Sequence, residues 1–416
     1  MDNKQNKINV LVTGLGTVSG LGFGIDKTWQ RMKEPGSVIK QKTEWSVEGP
    51  AEEYFGTCCE FSVADEFPGV AGLSPFRYSQ LALVACKLAL EDAGLTSLAG
   101  TDTSRIGLII NSDLGANTAA ENYAMRLYGK GPERVSPLEF TKSVANCVIG
   151  DVARQFSLTG ASSFIIGENS LSYGFDLIRN GKADVVVCGG FDEVRDRTVW
   201  NYCRRKLTVP AKGSYDELIS RCGAGFRNQM VFGEGSAFIV IESEEHAAAR
   251  NAKVYAVVEG EYSSCDGQCN EVIWERNPED LMFNMFRVLE EFLPGAEKLS
   301  FIMGASVLPW QAKEYEFPAI NRINGDGSIK YTSVKSRTGE TFSTGPLLSV
   351  AVAAKTLYHK AIPGTGWDIP GGFFSLAEQE MLRTSVPVGD NAYCLVNSIQ
   401  VGGNTTSMLL KSYREN

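Results

Sequence analysis

The chain has 416 residues, 43% hydrophobic and 21% charged, a balance that belongs to folded chains and excludes a disordered one. Its formal charge of −9 argues against general nucleic-acid or anionic-membrane binding, both of which need basic surface. No run approaches the roughly eighteen uninterrupted apolar residues of a membrane helix, and Met1 to Lys7 is too polar for a secretory signal, so a cytoplasmic location is expected.

Ile8 to Thr13 is a β-branched run ending in Gly14-Leu15-Gly16, a strand entering a tight turn. Ser79 to Ala93 has helical periodicity and Gly94 as its stop. Arg105 to Asn111 reads as a buried strand, and Leu114 to Leu127 as a helix rich in small residues. Phe164 to Ile166 predicts a strand, Ser170 to Arg179 a helix, and Asp184 to Cys188 a strand closing on Gly189-Gly190. A second series starts near Lys253-Val254-Tyr255. It continues with a helix from Pro278 to Phe292, a strand from Leu299 to Met303 and a helix from Leu347 to His359. Strands at Tyr393 to Val396 and Ser407 to Leu410 end it. Alternating strand and helix make the class α/β. The length exceeds one ordinary core, so two lobes, residues 1–250 and 251–416, are expected to share one body.

The ten cysteines sit mostly in apolar runs, as Cys86, Cys147, Cys188 and Cys394 do. Cys58-Cys59 and the Cys265/Cys269 pair lack the second ligand pair of a zinc site. All ten read as reduced, buried, structural thiols, with no metal and no cofactor expected.

Several ordered fragments carry a resemblance. They include Val12-Thr13-Gly14-Leu15-Gly16, Leu88-Ala89-Leu90-Glu91-Asp92-Ala93-Gly94, Gly131-Pro132 with Ser136-Pro137, and Ala145-Asn146. Gly189-Gly190, Gly233-Glu234-Gly235, Lys335-Ser336-Arg337-Thr338-Gly339 and Val401-Gly402-Gly403 come after them. Together they resemble the β-ketoacyl synthase family, the condensing enzymes of fatty-acid and polyketide synthesis, over nearly the whole chain. The resemblance implies a thiolase-like fold of duplicated αβαβα lobes.

It also implies what should be present for chemistry. Decarboxylative condensation needs a thiolate to hold the acyl chain and donors to stabilise the enolate. The family supplies a cysteine at a helix N-terminus, where the dipole favours thiolate, and two histidines. Counted from Gly160, the cysteine position falls on Asn169. The first histidine position lies at Gly304, within Met303-Gly304-Ala305-Ser306, and the second is Glu340. Lys335 is retained, and the phenylalanine-bearing gate loop has become Ile399-Gln400-Val401. The chain's two histidines, His246 and His359, fall on segments that are helical surface in the family.

Chain length factors of type II polyketide synthases share this profile: a ketosynthase-like chain without its nucleophile, paired with an active ketosynthase. The resemblance then implies an interface at Phe164, Ile165, Ile166 and the stretch from Pro137 to Asn146. It implies a tunnel floor of Leu114, Asn117, Thr118 and Glu121 along one side of a helix, with Phe140 opposite. An acidic acyl carrier protein is a further expected partner, met by Arg204-Arg205-Lys206 with Arg195 and Arg197, which otherwise read as a solvated run. Three other readings stay open. The chain could be the silent subunit of a polyene or fatty-acid-type synthase, or a homodimeric acyl-binding scaffold. It could also be an acyltransferase or decarboxylase using Ser170, Glu340, Lys335 or Cys147, although Ser170 at a helix start reads first as a cap.

Overall fold

The computed structural model describes residues 8–44, 52–57, 62–96, 98, 100, 102–167, 169–221, 229–267, 276–293, 295, 297–369, 371–382 and 386–414. The first strand, β1 (Val10–Ser19), is buried along all ten residues. Glycine makes this close packing possible. A Cβ at Gly14 or Gly16 would run into the backbone of Ala89 or Ala85, so helix α1 (Arg77–Asp92) lies directly on the strand.

Four more strands complete a first set: β2 (Ile106–Asn111), β3 (Ser162–Ile165), β4 (Val185–Asp192) and β5 (Gly235–Ser243). A second set comprises β6 (Ala256–Cys265), β7 (Leu299–Met303), β8 (Lys330–Thr332), β9 (Tyr393–Ile399) and β10 (Asn404–Ser412). All join one sheet in the order β8-β7-β9-β10-β6-β1-β5-β4-β2-β3, with Gly22–Phe23 as an eleventh strand beside β1. The sets meet where β1 pairs antiparallel with β6, Val10 opposite Val258. Outward from that junction both sets repeat one succession. Two antiparallel pairings, β1–β5–β4 and β6–β10–β9, lead into two parallel ones, β4–β2–β3 and β9–β7–β8. This mirrored order is the duplicated lobe of the thiolase-like fold.

Helices α2 (Asn117–Lys130), α3 (Ser170–Arg179), α4 (Pro278–Phe292) and α5 (Thr344–His359) lie against this sheet or along its edge. α1 packs on β1, β5 and β4, while α4 packs on β6 and β10. α5 touches both sets and is buried from Thr344 to Leu357, as an all-round apolar helix between two layers must be. Its Leu347, Val350, Ala351 and Ala354 share a core with Val186 and Ile239 of one set and Val396, Met408 and Leu410 of the other. The 250/251 division falls in the turn between the helix Glu244–Ala249 and β6. Among the described residues no helix is long and apolar enough to cross a membrane.

One element differs from the sequence expectation in a way that matters. The helix expected from Leu114 to Leu127 is α2, which starts three residues later, at Asn117. The Asp192 carboxylate accepts from the N–H groups of Asp113 (3.1 Å) and Leu114 (2.7 Å), and Gly115 turns the chain at φ 67. Leu114 is therefore in a turn and not on the helix with Asn117, Thr118 and Glu121. Strands β4, β9 and β10 also run past the ends their apolar runs suggested, because β9 and β10 pair from Tyr393↔Lys411 to Ile399↔Thr405.

Candidate functional site

Asn169 precedes α3 with extended backbone, φ −82 and ψ 119, and its Oδ1 accepts from the Leu171 N–H at 3.0 Å. The amide is thus the N-cap of α3 and is only 4% exposed. Ser170, expected as the cap, is instead the first helical residue. Its buried hydroxyl donates to the Gly189 carbonyl at 3.0 Å. The physical cause is positional: capping needs the residue before the helix, and Ser170 already stands inside α3.

Glu340, the position expected for the second histidine, is engaged by charge. Lys335 Nζ lies 2.9 and 3.0 Å from the two carboxylate oxygens of Glu340, and the Phe342 N–H donates to the same carboxylate at 2.9 Å. Lys335 and Glu340 are each 1% exposed. Gly345 is needed beside them, since a Cβ there would strike the Lys335 stem.

At Gly304, the position expected for the first histidine, a ring takes the space. A Cβ at Gly304 would fall on the Tyr331 hydroxyl, and that hydroxyl donates to Glu316 Oε2 at 2.6 Å. Glu316, fully buried, also accepts from the N–H groups of Ala305 and Ser306 at 3.0 Å. Burial and the Glu316 charge push the Tyr331 phenol well above its ordinary pKa, so it stays a donor.

Apolar side chains close around these groups. Phe232, Phe342, Ala305 and Ile399 form one cluster with Leu114, Tyr202 and Val401 packed against it. Phe232 meets Tyr202 edge-on at 5.2 Å and Phe342 at 6.1 Å. Gln400, in the altered gate loop, is 2% exposed, and neither of its side-chain amide atoms finds a hydrogen-bond partner.

The tunnel candidates separate into three places. Leu114 belongs to the apolar cluster. Thr118 receives a bond from Arg195 at 3.0 Å, and Glu121 pairs with Arg197 at 3.7 Å. Asn117 is the first residue of α2. Phe140, on the helix Pro137–Lys142, meets Tyr123 of α2 with ring centroids 5.6 Å apart and the rings tilted, a contact not foreseen from the sequence. Arg195 and Arg197 therefore turn towards α2, while Arg204 lies over the Trp200 ring at 5.3 Å.

Of the interface candidates, Phe164 and Ile165 lie on β3, the last strand of the sheet, which pairs among the described residues only with β2, and Ile166 directly follows it. Phe164 leans inward on Phe191 at 6.4 Å and Ile165 packs on the central core, whereas Ile166 is 71% exposed. Exposed Met125, Tyr128, Leu138, Phe140 and Val144 come from the neighbouring segments.

The remaining nucleophile and base candidates are engaged elsewhere. The Cys147 thiol meets the Tyr78 hydroxyl at 3.1 Å, and burial raises its pKa, which opposes thiolate formation. His246 bonds Glu242 at 2.7 Å, and exposed His359 stacks on Trp29 at 5.5 Å, at the far end of α5 from Thr344. Of the cysteines, Cys86, Cys188, Cys203 and Cys394 are buried, but Cys265 is exposed, contrary to the expectation for all ten. Cys58, Cys59, Cys222 and Cys269 lie outside the described residues.

The family model described as "Beta-ketoacyl synthase, N-terminal domain" matches residues 7–247. The chain belongs to the β-ketoacyl synthase family. Within the family it is 26% identical over 426 residues to the 3-oxoacyl-[acyl-carrier-protein] synthase 2 of Rhizobium meliloti, covering 97% of this chain and 99% of that one. The protein of the same name from Coxiella burnetii is 26% identical over 375 residues, 87% of this chain and 88% of its own. Among solved β-ketoacyl synthase folds, one from Burkholderia phymatum superposes with a TM-score of 0.82 at 20% identity, covering 98% of this chain and 100% of that one. The ishigamide ketosynthase/chain length factor gives 0.79 at 22%, with the same coverage. A type II PKS acyl-carrier protein in complex with its ketosynthase gives 0.79 at 19%, again with that coverage.

Proposed function

We propose that the chain is a chain length factor, the non-catalytic partner of a cysteine-bearing ketosynthase in type II polyketide biosynthesis. The observation that carries this reading is the state of the three positions where the condensing chemistry would sit. Asn169 is spent on a helix cap, Tyr331 occupies the space beside Gly304, and Glu340 is locked to Lys335. None offers a nucleophile, and no imidazole stands by to activate one.

The curated relatives carry the name of a condensing enzyme, so the family alone does not separate the two roles; these side chains favour the non-catalytic one. The acyltransferase reading loses support because Ser170 donates to Gly189 and the Cys147 thiol is held protonated. The fold kinship with a ketosynthase/chain length factor pair, together with the open edge of β3 and its apolar surroundings, supports a heterodimer at Phe164, Ile165 and Ile166. Lobes 1–250 and 251–416 would form one subunit, with α2, Asn117, Thr118, Glu121 and Phe140 along the polyketide path. An acyl carrier protein would deliver substrate to the pair in the cytoplasm.

Co-expression with a cysteine-bearing ketosynthase tests the proposal. A stable heterodimer that makes polyketide only when both chains are present is the expected result. Condensation by the purified single chain with malonyl-loaded carrier protein would overturn it.

A further inference from the structure

Helix α2 has little to hold it by packing. Of its 14 residues only Ala119 is buried, and Met125 and Tyr128 are exposed. Its N-cap, Ala116, has no side chain that can accept a hydrogen bond, and its first turn carries no acid. The segment that follows β4 supplies what the helix lacks. The Glu193 carboxylate, fully buried, accepts from the Thr118 N–H at 3.3 Å. Arg195 Nε stands 3.6 Å from the other oxygen of that carboxylate and donates to the Thr118 hydroxyl at 3.0 Å. Arg197 lies 3.7 Å from the Glu121 carboxylate and 3.5 Å from the Met125 sulfur.

These contacts follow one stripe of the helix. Thr118, Glu121 and Met125 are spaced by three and four, so they share a face, and Arg195 or Arg197 meets each of them. Glu193 sits at the positive end of the helix dipole, where an anion is favoured. Tyr123, the partner of Phe140, falls on roughly the opposite side.

We propose that Glu193, Arg195 and Arg197 are positioning residues, a polar clamp that sets where α2 stands and, through it, the length of the product. The effect on length rests on the reading of the chain as a chain length factor; the clamp does not. Thr118 and Glu121, two residues placed along the polyketide path, are the ones it grips. Its members differ in weight. Arg197 and Glu121 keep 54% and 36% of their side chains exposed, so solvent screens that pair and it is weak. Glu193 is sealed from water, so Arg195 and the Thr118 N–H are what compensate its charge. Without Arg195, the Thr118 hydroxyl loses its donor and the carboxylate its cation. The helix should then shift and not unravel, because Asp192 holds the turn at Leu114 independently and Phe140 still meets Tyr123.

The clamp is read on the full chain by hydrogen exchange, and its consequence on the pair co-expressed with a ketosynthase. Arg195→Gln should lower protection of the α2 amides from Ala119 to Arg126 about tenfold and leave α3 unchanged. Arg195→Lys, which keeps a cation within reach of Glu193, should recover part of that loss. In intact heterodimers Arg195→Gln should move the main product by at least one extension unit while total output stays near wild type. A purely structural role would lower output and leave length alone. Unchanged α2 protection in Arg195→Gln would overturn the clamp, and a loosened α2 with unchanged product length would overturn its role in length. A wild-type pair that makes no polyketide would remove the chain-length reading and that role with it, while the exchange data still decide the clamp. Should Arg195→Gln not fold, a charge exchange decides. Arg197→Glu and Glu121→Arg should each lower α2 protection about two- to fivefold, and together restore it. A double variant no better protected than the singles would refute the clamp.

Discussion

Lys335 and Glu340 form an ion pair sealed from solvent, at 2.9 and 3.0 Å, where the resemblance led us to expect a histidine. Such a pair is stabilising only relative to its own broken halves. Glu340→His or Glu340→Gln should therefore cost about 3–5 kcal/mol, because either leaves the Lys335 ammonium buried without its anion. The double variant Lys335→Met/Glu340→Leu should recover most of that loss. Urea unfolding of Lys335→Met, Glu340→Leu and the double closes the cycle; additive losses would show that the pair is not coupled.

Asn169 gives the second expectation. Asn169→Ala should destabilise by about 1 kcal/mol through the lost cap, while Asn169→Asp and Asn169→Ser should stay near wild type, since both can cap. Asn169→Cys should not restore condensation, because neither Glu340 nor the surroundings of Gly304 supplies an imidazole. Condensation assays with malonyl-loaded carrier protein on each variant check this directly.

Gly304→His is expected to fail for a steric reason. The new Cβ would strike the Tyr331 hydroxyl, displacing it from Glu316 and leaving that carboxylate short of a donor. Overpacking combined with a disturbed buried charge should cost about 3 kcal/mol or more. Pairing Gly304→His with Tyr331→Ala should relieve the clash and restore part of the stability. Calorimetry on the single and double variants measures it, and equal melting temperatures for the two would remove Tyr331 as the cause.

Product length offers the fourth. If α2 borders the polyketide path, Asn117→Trp or Thr118→Trp should shorten the product of the co-expressed pair without preventing heterodimer formation. Thr118 carries an extra condition, because its hydroxyl holds Arg195, so Thr118→Val separates loss of that bond from filled volume. Mass spectrometry of carrier-bound intermediates is the readout. Unchanged lengths in intact heterodimers would rule α2 out of the path.

Legibility in the sequence tracked the range of the forces involved. α3 and α4 were bounded correctly at both ends because their signals are local: Asn277 caps α4 ahead of Pro278, and apolar spacing sets the rest. The start of α2 was not legible, because the Asp192 carboxylate that stops the chain at Leu114 lies 78 residues away in sequence. The same holds at the centre. Asn169, Gly304 and Glu340 could be named from motif order as the positions where chemistry was expected. Their surroundings could not. Tyr331 beside Gly304, Glu316 beneath both, and the orphan oxygen of Asp113 are tertiary relations with no periodic trace.

The mirrored strand order has a mechanical consequence. Because α5 serves as keel to both five-strand sets, neither set can bury its inner face without the other. A cut between residues 250 and 251 would sever the backbone where few side chains are at stake and leave that keel gripped from both sides. The halves of a nicked chain should therefore travel together through gel filtration and melt as one body, whereas either half made alone should aggregate.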